Sequence, residues 1–412
     1  MYSLAIYIYM FCVNIAAIFN KKARLLKAGH CKTYKILRNG IKEGEQYLWF
    51  HAASLGEFEQ GRPLIEKIRE LNPQYKILLT FFSPSGYEVR KDYKGADVCC
   101  YLPFDTMLNA RKFIRIAKPA MAFFIKYEFW QNYISELHRC GIPTYSVASI
   151  FRPNQIFFRW YGHKYRNVLK YFTHLFVQNQ QSISLLKRLG IENATVVGDT
   201  RMDRVLQIRQ DAKPLPLCEA FSSNLPQNSH IIVAGSSWQP DEDILIDYFN
   251  NHSEQRLILA PHVVNEQHLS EIESKLRRPS VRYSKATAET AANAHCLIID
   301  CYGLLSSIYR YATIAYVGGG FGAGIHNVPE AAVYGVPVII GPNNQRFREA
   351  RELIKEGGCF EIRNSQDYIS IITHLTTDTP FLQHASQTAG EYISANAGAV
   401  DKVYNHIFYK QK

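Results

Sequence analysis

Within "HAASLGE", the polar side chains of His51, Ser54 and Glu57 stand three residues apart, with mostly small residues between them. A carboxylate where a strand gives way to a helix can take the proton of an attacking hydroxyl, and helix-end donors can hold it ionised until then. Ala52, Ala53 and Gly56 leave room for a substrate beside it. The plainer reading is that Glu57 only complements a helix dipole. A second carboxylate, Glu128 in "FFIKYEFWQN", also closes an apolar run, where it can orient an acceptor or pair with Lys126.

The stretch "YVGGGFGAGIHNVPEAAVYGVPVIIGP", Tyr316 to Pro342, raises a different chemistry. Its Gly318 to Ala323 fit the dinucleotide pattern G-x-G-x-x-G/A, but that site also needs an acid at the end of the next strand to hold the ribose. The next strand, "VPVII", ends in Gly341, Pro342, Asn343 and Asn344, with no carboxylate. Glu330 instead falls in the first turn of the following helix, where it can accept from a ribose hydroxyl, and Pro329 suits that turn. Glycines at such a turn let backbone N–H groups approach an anion, and the helix start adds partial positive charge. Two-domain nucleotide-sugar transferases hold their donor in this way. A turn built only for close packing would need the same glycines.

No metal or cofactor is expected. "DED", Asp241 to Asp243, mimics the D-x-D of metal-dependent transferases, but acids behind Pro240 read as an ordinary helix start. The nine cysteines form no C-x-x-C pair and read as reduced thiols.

The elements that must position these residues alternate. After "YLWFHAA" and the helical "EFEQGRPLIEKIREL" come "YKILLTFF", "DVCCYLP", "AMAFFIK", "TYSVASI" and "HLFVQN", apolar almost throughout. Such runs separated by helices predict a parallel sheet covered on both faces. Residues 207–229 break the pattern with prolines and polar filler and read as a linker. The alternation restarts with "IIVAGSSW", "RLILAPH", "HCLIID", "TIAYVGGG" and "VPVIIGP". The expected organisation is therefore an anchor over 1–20, a Rossmann-like domain over 21–206, the linker, and a second Rossmann-like domain over 230–390. A last helix over 391–412 would pack back on the first domain. Ligands of such sheets sit beyond the carboxyl ends of the strands, here in a cleft that the two domains face.

Met1 to Phe19 carry only Ser3 and Asn14 as polar breaks, which is long enough, at roughly 20 residues, to cross a bilayer or lie in one leaflet. No basic segment precedes the run and no small-residue cleavage site follows, which disfavours a signal peptide. "KKARLLKAGHCKTYKILRNGIK" comes next without an acid, and positive charge on that flank places the rest of the chain on the cytoplasmic side. The chain carries 47 Lys and Arg against 36 Asp and Glu, which favours anionic partners. Between Leu137 and Ile191 there is no acid, while Arg139, Arg152, Arg159, Lys164, Arg166, Lys170, Lys187 and Arg188 interleave with aromatics. The modules that carry stacking aromatics in RNA binders are absent, so no nucleic-acid partner is expected. A membrane-facing patch for an acceptor with phosphorylated sugars fits better.

Together, in this order, the apolar N-terminus, "HAASLGE", "YEFWQN", "VGDTRMD", "AGSSW", "LAPH", "GGFGAGIHNVPEAA" and "IIGPNNQRF" resemble the 3-deoxy-D-manno-octulosonic acid (Kdo) transferase family over nearly the whole length. The resemblance implies an α/β chain of the GT-B fold that transfers Kdo from CMP-Kdo to the lipid A precursor, lipid IVA, with inversion and without a metal. It would work at the cytoplasmic face of the inner membrane. Glu57 matches the family's general base, and Glu128 matches the second acid of an E-x-E-[LF]-W-P-N segment. Here Lys126 replaces the first acid of that segment and Gln131 its proline. The nucleotide side would comprise Ser236, Ser237, Pro261, His262, Tyr302, Gly303, Leu304, Asn327, Val328, Pro329 and Glu330. Family members more often have Pro-Arg-His where this chain has "APH", and M-G-E where it has "YGL". Ser54, Gly56 and Arg152 fall on the acceptor side. The competing readings are a GT-B transferase using a UDP-sugar, and a non-catalytic membrane-tethered binder of nucleotides or glycans.

Overall fold

A computed structural model describes residues 2–409, apart from 224, 227 and 228; the side chain of Lys164, one of the basic stretch, also lies outside the described residues. The chain divides into two compact units, residues 1–204 with 397–412, and residues 205–396.

In unit 1, β1 (Gln46–Ala52), β2 (Tyr75–Phe81), β3 (Val98–Tyr101), β4 (Met121–Ile125), β5 (Thr144–Ser149), β6 (His174–Val177) and β7 (Ala194–Val196) form one sheet in the order 3-2-1-4-5-6-7. Every pairing is parallel. Side chains of β1 alternate between two cores, as the pleat requires. Leu48, Phe50 and Ala52 join Phe58, Leu64, Ile65 and Ile68 of a helix over Leu55–Leu71. Tyr47 and Trp49 join Phe113 and Tyr133 on the opposite face. Both faces are covered, so β1 is buried from Tyr47 to Ala52, as a parallel sheet demands. The helix Ala399–Phe408 belongs to the first of these faces through Val400, Val403, Tyr404 and Ile407.

Unit 2 repeats the plan with β8 (His230–Ser237), β9 (Gln255–Pro261), β10 (Ser280–Arg282), β11 (Cys296–Ile298), β12 (Ile314–Val317), β13 (Val338–Ile340) and β14 (Cys359–Glu361), in the order 10-11-9-8-12-13-14. The chain thus has the two Rossmann-like sheets of a GT-B protein. β7, β10 and β14 were not expected from the sequence. Each is a three-residue edge or near-edge strand, too short to show a period.

Within the expected linker, residues 207–223 are largely helical. They hold the end of the helix Thr200–Asp211 and a helix over Pro216–Ser223, whose Cys218 and Phe221 are buried. The Arg256 guanidinium covers the Phe221 ring at 5.3 Å. One of the prolines that suggested a break, Pro216, instead starts a helix.

The apolar N-terminus is α1 (Tyr2–Phe19), followed after an Asn20 cap by the basic α2 (Lys21–Gly40). By length and composition α1 is apolar enough to cross a membrane. One edge packs on unit 1 through Ile6, Met10 and Val13, while Leu4, Ile8, Phe11, Ile15, Ile18 and Phe19 are exposed. The Leu55–Leu71 helix is α3.

Candidate active site

Strand order reverses in unit 1 between β1 and β4, which pair with each other while their connections leave in opposite directions. Ligands of open α/β sheets bind at such a point. His51 is the penultimate residue of β1, Ser54 caps α3, Glu57 lies in its first turn, and Glu128 follows β4.

Glu57 Oε2 accepts from the Ser54 N–H at 2.9 Å and from its hydroxyl at 3.1 Å, the first being the bond that an N3 carboxylate makes in a capping box. Burial first, and then the charge of Glu128, push the Glu57 carboxyl above its usual range, against the pull of the Ser54 donors and His51. Glu57 therefore does cap its helix, and it also has the environment of a base. Glu128 Oε2 accepts from Trp130 Nε1 at 2.5 Å and lies 3.3 Å from His51 Nε2. Gly56 has open space where a Cβ would be, so packing does not require a glycine there.

Arg152 follows β5 and lays its guanidinium 5.8 Å from the centre of the Tyr127 ring, next to Glu128. Lys126 and Ala148, at the ends of β4 and β5, hold φ of 67° and 56° in the left-handed region. Strain of this kind collects at functional sites. The basic stretch is less free than its composition suggests. Arg139 is held by Glu136, and Arg166 donates to the carbonyls of Phe157 and Arg159. Those bonds support a short loop that exposes Trp160 at 88% and Tyr161 at 59%. Tyr2 of α1 meets Tyr165 edge-on at 6.1 Å, placing the start of the apolar helix beside this segment. A hollow of about 840 Å³ on the same unit, lined by Leu108, Arg115, Arg139 and Ile142 among others, shares no residue with the carboxylate site.

In unit 2 the reversal falls between β8 and β12. Ser236 and Ser237 end β8, and Ser236 takes φ 53°. Pro261 ends β9, and the His262 N–H donates to the Ser237 carbonyl at 2.9 Å. The His262 ring stacks between Trp238 and His326, each at 4.6 Å. Tyr302 is exposed and accepts from the Val264 N–H at 3.2 Å; Gly303 and Leu304 follow in the same loop. Asn327 precedes a one-turn helix over Val328–Ala332. Glu330 accepts from Asn327 Nδ2 at 2.7 Å and from the Ser306 hydroxyl at 3.0 Å. Asn327 Oδ1 is buried without a partner. Because this helix has a single turn, its free N–H groups matter more than a macrodipole.

The glycine loop has two duties. Gly319 takes φ 92°, and a Cβ on Gly320 would lie 2.6 Å from the Gly341 backbone. Close packing thus accounts for part of the glycine run. The sequence reading missed what shapes this loop. Asp241 Oδ2 accepts from the Gly319 and Trp238 N–H groups, each at 2.9 Å, and Oδ1 takes the Tyr316 hydroxyl at 2.7 Å. Glu242 is buried on the Ser237 hydroxyl and His268, while Asp243 pairs with Lys275. The three acids of "DED" thus point to three separate partner sets. Asp105 was missed as well. Burial raises its carboxyl to about 6, and its oxygens accept from the Asn132 and Tyr133 N–H groups at 3.0 Å, fixing the helix Gln131–Arg139 that follows Glu128 and Trp130.

A family model described as 3-deoxy-D-manno-octulosonic-acid transferase (Kdo transferase) matches residues 27–204. The chain is similar to the 3-deoxy-D-manno-octulosonic acid transferase of Aquifex aeolicus (strain VF5), 26% identical over 347 residues, 82% of this chain and 88% of the relative. It is also similar to that of Rickettsia prowazekii (strain Madrid E), 26% identical over 343 residues, 80% of this chain and 71% of the relative. Among solved structures, UDP-GlcNAc 2-epimerase from Neisseria meningitidis bound to UDP-GlcNAc shares the fold. Its TM-score is 0.65 at 13% identity, covering 88% of this chain and all of that one.

Proposed function

We propose that the chain is a glycosyltransferase of the Kdo transferase family, on the family model matched over residues 27–204 and relatives 26% identical to it, and that it moves Kdo from CMP-Kdo to lipid IVA by an inverting displacement. A 6′-hydroxyl of the glucosamine disaccharide attacks the anomeric carbon of Kdo while Glu57 accepts its proton. The bond from that carbon to the phosphate oxygen breaks, and CMP leaves as an anion. The N–H groups that the glycine loop leaves free after Gly319, and those of Asn327 and Val328 at the helix start, receive that phosphate. Pro261, His262 and Tyr302 to Leu304 line the nucleotide, with Ser236 and Ser237 at its edge. Ser54, Gly56 and Arg152 serve the acceptor, Arg152 as a cation for its sugar phosphates.

One observation carries this reading: the half-buried Glu57 carboxyl, desolvated and beside the charge of Glu128, is raised above its ordinary range. The exposed apolar face of α1, the cations of α2 and the Trp160 loop support attachment at the cytoplasmic face of the inner membrane.

The test is incubation of the purified protein with CMP-Kdo and lipid IVA, with products weighed by mass spectrometry. Addition of whole Kdo units is the expected result, and their number is read from the same spectrum. A UDP-sugar enzyme would show competition by UDP rather than CMP. A non-catalytic binder would show no product with either donor.

A further inference from the structure

His51 is sealed, with no exposed side-chain surface, between the rings of Trp130 at 5.7 Å and Phe124 at 5.9 Å. Such a ring cannot touch substrate, and its hydrogen bonds have to close within the protein. Nδ1 lies 2.9 Å from Thr80 Oγ1, which also accepts from Trp49 Nε1 at 2.8 Å and reaches the Phe50 carbonyl at 3.3 Å. Nε2 has no hydrogen bond of its own, and the polar atom it faces is Glu128 Oε2, 3.3 Å away and out of line. A bare lone pair on Nε2 would set two acceptors against each other in a dry pocket.

A proton on Nε2 removes that conflict, and it can arrive in two ways. Either the Thr80 hydroxyl donates to Nδ1 and the neutral ring keeps its hydrogen on Nε2, or the ring carries both protons. Each arrangement turns an N–H toward Glu128 Oε2, the oxygen that Trp130 already donates to. Glu128 Oε1 has no partner among the described residues. The same ring acts electrostatically on Glu57 and Asp105, the other two carboxylates near it.

We propose that His51 is a positioning residue for Kdo transfer: its Nε2–H, by a short electrostatic contact beside the Trp130 hydrogen bond, keeps Glu128 an oriented carboxylate whose Oε1 is left to the acceptor. The side chain works through Glu128 and never meets the substrate. The proton position follows from the packing alone, whereas the catalytic role rests on the transfer reading above.

Two measurements test it. Nitrogen-15 NMR on the full-length protein with labelled histidine, assigned by loss of one signal set in His51→Gln, reads the ring directly. A protonated Nε2 is expected, and an unprotonated Nε2 overturns the proposal. The second compares His51→Gln, whose amide keeps an N–H, with His51→Leu, which has none. Displacing an oriented group costs up to about 100-fold in rate, so His51→Leu should lose about that much in kcat, with KM for CMP-Kdo within about twofold of the parent. His51→Gln should recover roughly a tenth of parental kcat or better. Equal loss in both variants, or parental kcat in His51→Leu, overturns the role. Absence of transfer by the parent protein would sink the functional reading while the NMR result still decides the proton.

Discussion

The two units end their central strands in opposite ways. At the mouth of unit 1 the acids are only half used: Glu57 and Glu128 each have one oxygen bonded, and Oε1 of each has no partner among the described residues. At the mouth of unit 2 the comparable acid is saturated, since Asp241 meets two N–H groups and a hydroxyl. The topology is the same, but one mouth leaves carboxylate oxygens open, for proton transfer under the proposed mechanism, and the other uses its acid to shape backbone. Saturation of hydrogen-bonding capacity separates a reactive carboxylate from a structural one more sharply than burial does.

The largest effect that would sharpen this contrast is on Glu57. Glu57→Gln should lower Kdo transfer by about 1,000-fold, within the range for losing a general base. The melting temperature should not fall and CMP binding should be unchanged, since a neutral amide suits the half-buried position and can still accept from Ser54. Loss of melting temperature instead would make Glu57 a structural acid like Asp241.

Gly320→Ala follows, because its Cβ would lie 2.6 Å from the Gly341 backbone. Overpacking of this kind costs about 3 kcal/mol, read as a lower denaturation midpoint. Asp241→Ala should cost about 2 kcal/mol by stranding the Gly319 and Trp238 N–H groups and the Tyr316 hydroxyl. It should weaken CMP binding through the loop rather than slow chemistry at saturating donor. A pure kcat effect would give unit 2 a reactive acid after all.

The pH response tests the same division. The base must be ionised, so transfer should fall as pH drops through the Glu57 pKa, with its acid limb above the ordinary carboxylate range. Stability runs the other way. A carboxyl raised on folding contributes stability that is present below its unfolded pKa and lost as pH rises through its folded one. Within that window Glu57 costs stability where it gains activity. Matched pH profiles of rate and melting temperature for the parent and Glu57→Gln check both signs.

The smallest effect is expected at Gly56. Gly56→Ala meets open space and should change stability by less than about 0.5 kcal/mol. Any rise in acceptor KM would then report occupied volume at that face.

Much of this was visible in the chain itself. Long buried strands such as "YLWFHAA" announce themselves because both faces of a parallel sheet are covered, and Glu57 stands out as a carboxylate just after one of them. What stayed hidden depends on distant pairing. Nothing in "HAASLGE" says that His51 rests on Thr80, 29 residues away in sequence, or that its other nitrogen meets Glu128. Nothing in "FDT" marks Asp105 as the residue that ties down the helix after Glu128. "DED" was legible as a helix start, but its grip on Gly319 crosses 78 positions. Local pattern gives the elements, while long-range hydrogen bonds decide which polar residue in them is spent.

The helix Ala399–Phe408 has a consequence for biosynthesis. Its first N–H groups, at Gly398 and Ala399, are held by Asp203, and its apolar side chains complete a core begun by β1. The lobe begun first is therefore closed last. A ribosome delivers residues 205–396 as one uninterrupted stretch, free to fold on emergence, while the lobe bearing Glu57 waits with an open seam until the final helix arrives.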